Sequence, residues 1–213
     1  MTNQTAAPDL RTIVSEFTAF EITALLSVID TESAARTLEL LHLPAVEKDS
    51  PAVGIGLSTL IARGKITTTG GLMPVGDAAR LAGLGGTATT WIETVTITGD
   101  RKSVAVFVSA PEGTVFLEPA PFGLWLVWPV KPGVSAERAA AGYVGAAFEK
   151  AAGAPFGGSV EATRLEGPVR TAAVKVDDAG TWRLQAGELD RPEPPRQIAA
   201  DPTFAVLAEA IAG

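Results

Sequence analysis

The hydrophobic period of this chain changes at Thr87, and that change limits the fold more than any other feature. Before it, apolar residues recur every three or four positions, the repeat that lines one face of a helix. From "TTWIETVTITGD" onward they alternate, the repeat of a half-buried strand. Helices and strands kept in successive blocks imply an α+β fold rather than alternating βαβ units.

The helical block opens on a strong start signal. In "FTAFEI", Thr18 is an N-cap with Glu21 closing a capping box, and Phe17 and Ile22 stand at the positions of a hydrophobic staple. The pattern predicts a helix over 19–29 and a second capped by Asp30, with Ala34, Leu38 and Leu41 on its stripe and a halt before Pro44. A third follows over 52–62. After a turn at Gly70-Gly71, a short helix over 75–82 ends in "AGLGG".

Beyond Thr87, four strand candidates bounded by Gly or Pro make an antiparallel β-meander. A crossover helix runs from its cap Ser135 to Gly153, and "GSVEATRLEG", "VRTAAVKVDDAG" and "TWRLQAGE" form a second small set of strands with a turn over 177–180. In the last segment Asp201 is an N-cap, Pro202 takes the first helical position, and Phe204, Leu207, Ala208 and Ile211 fall on one stripe. The expected organisation is an N-terminal tail over 1–16 and a single α+β domain over 17–189, with a helical part over 17–86 and a sheet and helix part over 87–189. A Pro-rich linker over 190–200 and a C-terminal helix over 201–213 complete it. The C-terminal stripe has two docking sites open to it, the chain's own core or a second copy, the latter giving a homodimer.

The order helix, Arg-Gly stop, Gly turn, helix in "LSTLIARGKITTTGGLMPVGDAARLAGL" is that of a winged helix-turn-helix, but the chemistry is wrong for DNA. The helix in the recognition position, "PAVGIGLSTLIARG", carries only Ser58 and Thr59 as polar side chains before Arg63 and reads as buried. Residues 11–90 hold six Lys/Arg against eight Asp/Glu, and the whole chain has a net charge of −7, which opposes a polyanion. No nucleic-acid partner is expected. Nor is a membrane, since no run approaches the roughly 18 apolar residues of a spanning helix and no basic leader precedes an apolar stretch. These readings place the protein in the cytoplasm.

No constellation for catalysis stands out. The chain has no cysteine and one histidine, His42, set between leucines, which reads as a packed or helix-end residue. Ser159 lacks the G-x-S-x-G elbow, the glycine clusters complete no phosphate-binding pattern, and Tyr143 sits mid-helix among Ala and Gly. The expectation is therefore no enzyme, no metal and no cofactor. What is concentrated is aromatic surface: Phe107, Phe116, Phe122, Trp125 and Trp128 crowd into the meander. Phe122 and Trp128 stand beside Pro121 and Pro129, which belong at strand ends, so these two rings are the candidate partner-binding residues.

The run "LIARGKI…GGLMPVGDAARLA" followed by "WIETVTI…SVAVFVS…GTVFLEPAPFGLWLVWPV" resembles the actinobacterial ESX (type VII) secretion-associated chaperone family over residues 17–150. The chain departs from that pattern in being short and in lacking a clear strand before the first helix. The resemblance implies a cytoplasmic protein without enzymatic activity that binds a helical secretion substrate. The expected function is thus a non-catalytic protein-binding or chaperone-like role, and the alternative is a small-ligand-binding domain or enzyme using a crevice between sheet and helix.

Overall fold

The computed structural model describes residues 15–212. Six helices and an antiparallel sheet of ten strands form an α+β fold. Strand β1 (Ser15–Thr18) leads into α1 (Ala19–Ile29), α2 (Glu32–Leu40) and α3 (Pro51–Ala62). Two-residue strands β2 (Ile66–Thr67) and β3 (Met73–Pro74) pair before α4 (Gly76–Thr87). The meander is β4 (Thr90–Thr98), β5 (Arg101–Ala110), β6 (Gly113–Ala120) and β7 (Leu124–Pro129), with a 3₁₀ turn, Pro121–Gly123, between the last two. Helix α5 (Ala136–Ala151) precedes β8 (Phe156–Arg164), β9 (Arg170–Val176) and β10 (Trp182–Glu188). Short strands β11 (Arg191–Pro192) and β12 (Arg196–Ile198) and helix α6 (Ala205–Ile211) follow. The sheet runs β1-β7-β6-β5-β4-β8-β9-β10-β11, with β12 also on β10. The described residues divide into two compact units: a helical unit, 15–91 with 108–129, and a sheet unit, 92–107 with 130–212.

In the helical unit the capping box of α1 forms as the sequence implies. Thr18 Oγ1 accepts from Glu21 N at 3.1 Å, Thr18 N donates to Glu21 Oε2 at 2.7 Å, and the staple residues Phe17 and Ile22 are fully buried. A strand does precede this helix, against the sequence reading. Four residues are too few to show alternation, and β1 is fixed by pairing with β7, from Ser15 opposite Val127 to Thr18 opposite Leu124. Residues 1–14 of the expected tail lie outside the described residues.

Three local expectations in this unit need correction. Asp30 does not cap α2: it ends α1 in the left-handed conformation, φ 56°, and Thr31 caps α2 by accepting from Ala34 N at 3.1 Å. Helix α4 does not stop at "AGLGG" but runs to Thr87, because Gly85 and Gly86 are contact points rather than breakers. A Cβ on Gly85 would lie 2.6 Å from Leu26 Cδ2, and one on Gly86 2.9 Å from Ile29 Cγ2. Helix α3 is not buried throughout. Val53, Gly56 and Leu60 face inward, whereas Ile55 and Ile61 are exposed.

The sheet unit packs α5 and α6 on one face of β8–β10. Phe148 of α5, Phe156 of β8, Trp182 of β10 and Phe204 interlock edge to face or tilted, with ring centroids 5.1 to 5.7 Å apart. The C-terminal stripe thus docks on the chain's own core, with Phe204, Leu207 and Ile211 fully buried, so this stripe has no surface left for a second copy. Asp201 and Pro202 do not start the helix. Phe204 takes the N-cap position with φ 54°, and Asp201 instead ties the turn, its carboxylate accepting from Thr203 N at 3.2 Å and Val206 N at 3.0 Å. The Pro-rich stretch over 190–200 carries β11 and β12, both paired with β10, since Arg191, Arg196 and Gln197 keep backbone N–H groups where the neighbouring prolines have none.

Candidate partner-binding surface

The β6–β7 hairpin is built from residues that resist an ordinary surface. Its tip is Pro121, Phe122 and Gly123, with Phe122 at φ 64° and Gly123 at φ 71°. Pro121 fixes its own φ and Gly123 accepts a positive φ without strain, but Phe122 is a bulky side chain held in the left-handed region, where a Cβ is disfavoured. The ring gains no burial in return, since its exposure is 101%. Strand β7 behind it reads "LWLVWP", and every residue but Val127 is only half-buried.

The structure does not bring Phe122 and Trp128 side by side. Gly123 and the strand residues Leu124–Val127 separate them, which puts roughly 15–20 Å between the two. Trp128 stacks on Phe116 across the β6–β7 pair, centroids 5.9 Å apart and planes at 6°. Its indole Nε1–H is buried and meets no hydrogen-bond partner among the described residues.

The register carries other exposed apolar groups to the Phe122 end. Thr18, opposite Leu124, is the last residue of β1, so α1 starts beside the hairpin tip and presents Phe20, 54% exposed. Helix α3 crosses α1 where a Cβ on Gly56 would lie 2.2 Å from the Phe20 carbonyl oxygen, and the neighbouring Ile55 is 56% exposed. Phe20, Ile55 and Phe122 were not linked by sequence spacing, because only the β1–β7 register and the α1–α3 crossing join them.

Beneath this end lies a charged clasp. Glu21 is fully buried and its carboxylate accepts from Arg63 Nη1 at 2.7 and 3.0 Å, while Arg63 Nη2 donates to the Glu16 carbonyl at 3.0 Å. The arginine of "LIARG" therefore locks the end of α3 to the start of α1. Lys65 Nζ sits 4.0 Å from the Phe17 ring centroid and pairs with Asp77. Partial burial pushes the Asp77 carboxyl up, but hydrogen bonds from Lys65 and Ser15 and the Lys65 charge outweigh it and hold the pKa below its usual 3.8. His42 takes a left-handed conformation, φ 54°, where its N–H donates to the Glu39 carbonyl at 2.9 Å at the end of α2. Tyr143 packs edge-on against Phe107 at 6.3 Å. Among the described residues no cluster of three His, Cys, Asp or Glu is placed to hold a metal ion, and no helix is long and apolar enough to cross a membrane.

The architecture is similar to that of one solved secretion chaperone. The solved structure of the Mycobacterium tuberculosis type VII secretion system chaperone EspG5, in complex with the PE25–PPE41 dimer, superposes on this chain with a TM-score of 0.60. The match spans 94% of this chain and 96% of that one at 10% sequence identity, so what the two share is the fold. No family model and no curated protein sequence matches the chain.

Proposed function

We propose that this chain is a non-catalytic, chaperone-like protein of the cytoplasm that binds a helical protein partner, of the kind destined for type VII secretion. The observation that carries this reading is the fold shared with EspG5 over nearly the full length of both chains, that chaperone having been solved with a protein dimer bound. The fully exposed Phe122, held at positive φ, and the exposed Phe20 and Ile55 of the same unit support it chemically. A protein that keeps a bulky ring in a strained, solvated position has a use for it that folding does not supply. Phe122 is the anchor in this reading, and the exposed part of Trp128 extends the same strip along β7.

Affinity capture from the native host tests the proposal. The wild-type chain retains a type VII secretion substrate, and Phe122→Ser retains at least about tenfold less at equal folded concentration, as loss of a buried aromatic anchor does. Retention of no protein, or equal retention by both forms, contradicts it. Trp128→Ala measures the second residue: a loss of capture larger than the loss of folded protein keeps Trp128 on the surface, and a loss of stability alone removes it.

A further inference from the structure

The sheet unit has its own unoccupied face. Along β8, β9 and β10 alternate side chains turn toward α5 and α6, as a Cβ on Gly158, 2.4 Å from Val144 Cγ1 of α5, makes plain. The intervening side chains turn the other way and line a cavity of about 590 Å³. Its floor is low because it is made of small residues, Gly157 and Ser159 on β8 and Ala173 on β9. A Cβ on Gly157 would meet only Ile97, at 3.9 Å. Val95 and Ile97 of β4 form one wall, and Arg183 and Gln185 of β10 the other. Four neighbouring strands put those walls about 14 Å apart, close to the roughly 10–12 Å diameter of an α-helix with its side chains.

Charge and backbone chemistry narrow the occupant. Among the described residues, the ionisable side chains lining the cavity are Lys175 and Arg183, both cations and both exposed, in a chain of net charge −7. They stand directly opposite each other on β9 and β10, an arrangement that weakens a ladder unless an anion lies between them. Asp177 closes its own turn, its Oδ1 accepting from Ala179 N at 3.0 Å and Thr181 N at 2.9 Å, and its charge offsets part of that of Arg183 while Lys175 keeps its own. Glu161, on the same face, lies opposite Thr171 and outside the lining. The floor strands β8 and β9 each have a paired strand on both sides, so a polypeptide lying across them finds no free backbone groups and has to satisfy its own, as a helix does.

We infer that this trough docks one acidic amphipathic helix of a protein partner, its apolar stripe on Val95, Ile97 and Ala173 and its carboxylates on Lys175 and Arg183. The inference extends the proposed function, adding a second surface and the charge of what it takes. Its test uses designed probes rather than the native partner, so it can fail alone. The isotope-labelled full chain is titrated with two synthetic helices of about 18 residues, five turns. Both carry the same Leu/Ile stripe, flanked in one by Glu and in the other by Lys.

The Glu helix binds at least about tenfold more tightly than the Lys helix, and amide shifts concentrate at Gly157, Ser159, Ala173 and Gln185. The double variant Lys175→Glu/Arg183→Glu, whose two positions are exposed and leave the fold intact by circular dichroism, reverses the preference. Equal affinity for the two helices, shifts centred outside the trough, or an unchanged preference in the double variant overturns the inference. So does self-association that shifts the same amides without peptide, which assigns the face to a second copy. None of these outcomes bears on capture through Phe122.

Discussion

The sheet unit closes its helices with rings, and the helical unit closes its own with glycines and a buried carboxylate. Phe204 touches Phe148, Phe156 and Trp182, with ring centroids 5.2 to 5.7 Å away, so one side chain seals α6 against α5 and the strands. In the helical unit Gly56 lets the backbones of α3 and α1 approach, Gly85 and Gly86 take the Leu26 and Ile29 side chains at distances no Cβ permits, and Glu21 is satisfied by Arg63 and the Thr18 N–H. The two solutions leave different surfaces. Where α1 and α3 meet closely at Gly56, Phe20 and Ile55 of the same two helices are left in solvent. The aromatic cluster draws large side chains to one face of β8–β10 and leaves Gly157, Ser159 and Ala173 on the other. An apolar knob in one unit and an apolar trough in the other follow from how each core is built.

The contrast has measurable edges, the largest at Phe204. Phe204→Ala empties the centre of the ring cluster and costs about 3–5 kcal/mol, read by chemical denaturation together with loss of amide protection in α5 and β8–β10. Gly56→Ala comes next. Its Cβ would meet the Phe20 carbonyl oxygen at 2.2 Å and Ala24 Cβ at 2.5 Å, neither of which is the end of a flexible side chain. The helices have to part, at a cost of about 1–3 kcal/mol, with α1 and α3 amides exchanging faster. If Gly56→Ala proves neutral, glycine contact is not what holds this unit together.

Arg63→Ala leaves the buried Glu21 carboxylate with the capping contacts alone. Because Arg63 is 36% exposed, the cost is about 2 kcal/mol, less than the roughly 3–5 of a fully buried pair. Gly54→Ala on the exposed side of α3 has nothing within 4 Å and stabilises by about 0.5–1 kcal/mol, so the two glycines two residues apart carry opposite signs. The smallest effect is at Asp77, whose pKa is held below 3.8 in the folded chain. A depressed carboxyl stabilises the fold above its unfolded pKa and loses that contribution as pH falls through the folded one. Asp77→Asn is therefore slightly less stable than wild type at neutral pH, and the gap closes in acid below pH 3.8.

Much of this architecture was legible because local signals were strong. The capping box at Thr18, the change of period at Thr87, the Ser135 cap and the C-terminal stripe each sit where side-chain chemistry dictates backbone geometry. What failed were positions where one residue serves two purposes. Gly85 and Gly86 read as a stop and are contact points inside α4. Asp30 reads as the start of α2 and is the end of α1. Asp201 reads as the N-cap but stands before it, accepting from Thr203 N in the turn and from Val206 N in the first turn of the helix, while Phe204 takes the cap position. The apolar knob was half visible, since Pro121 marked Phe122 as a strand end, but Phe20 and Ile55 join it only through register and crossing. The trough was invisible for a similar reason. Gly157, Ala173 and Arg183 come from three strands, and their common face exists only once those strands pair.

The central claim is that Phe122 is held in solvent for a protein partner, and a photo-crosslinking side chain at that position tests it most directly. With benzoylphenylalanine in place of Phe122, irradiation in the native host should give an adduct with a helical type VII secretion substrate. The same probe at the exposed Leu165, in the other unit, should not give that adduct. No protein adduct at position 122, or the same adducts from both positions, contradicts the account.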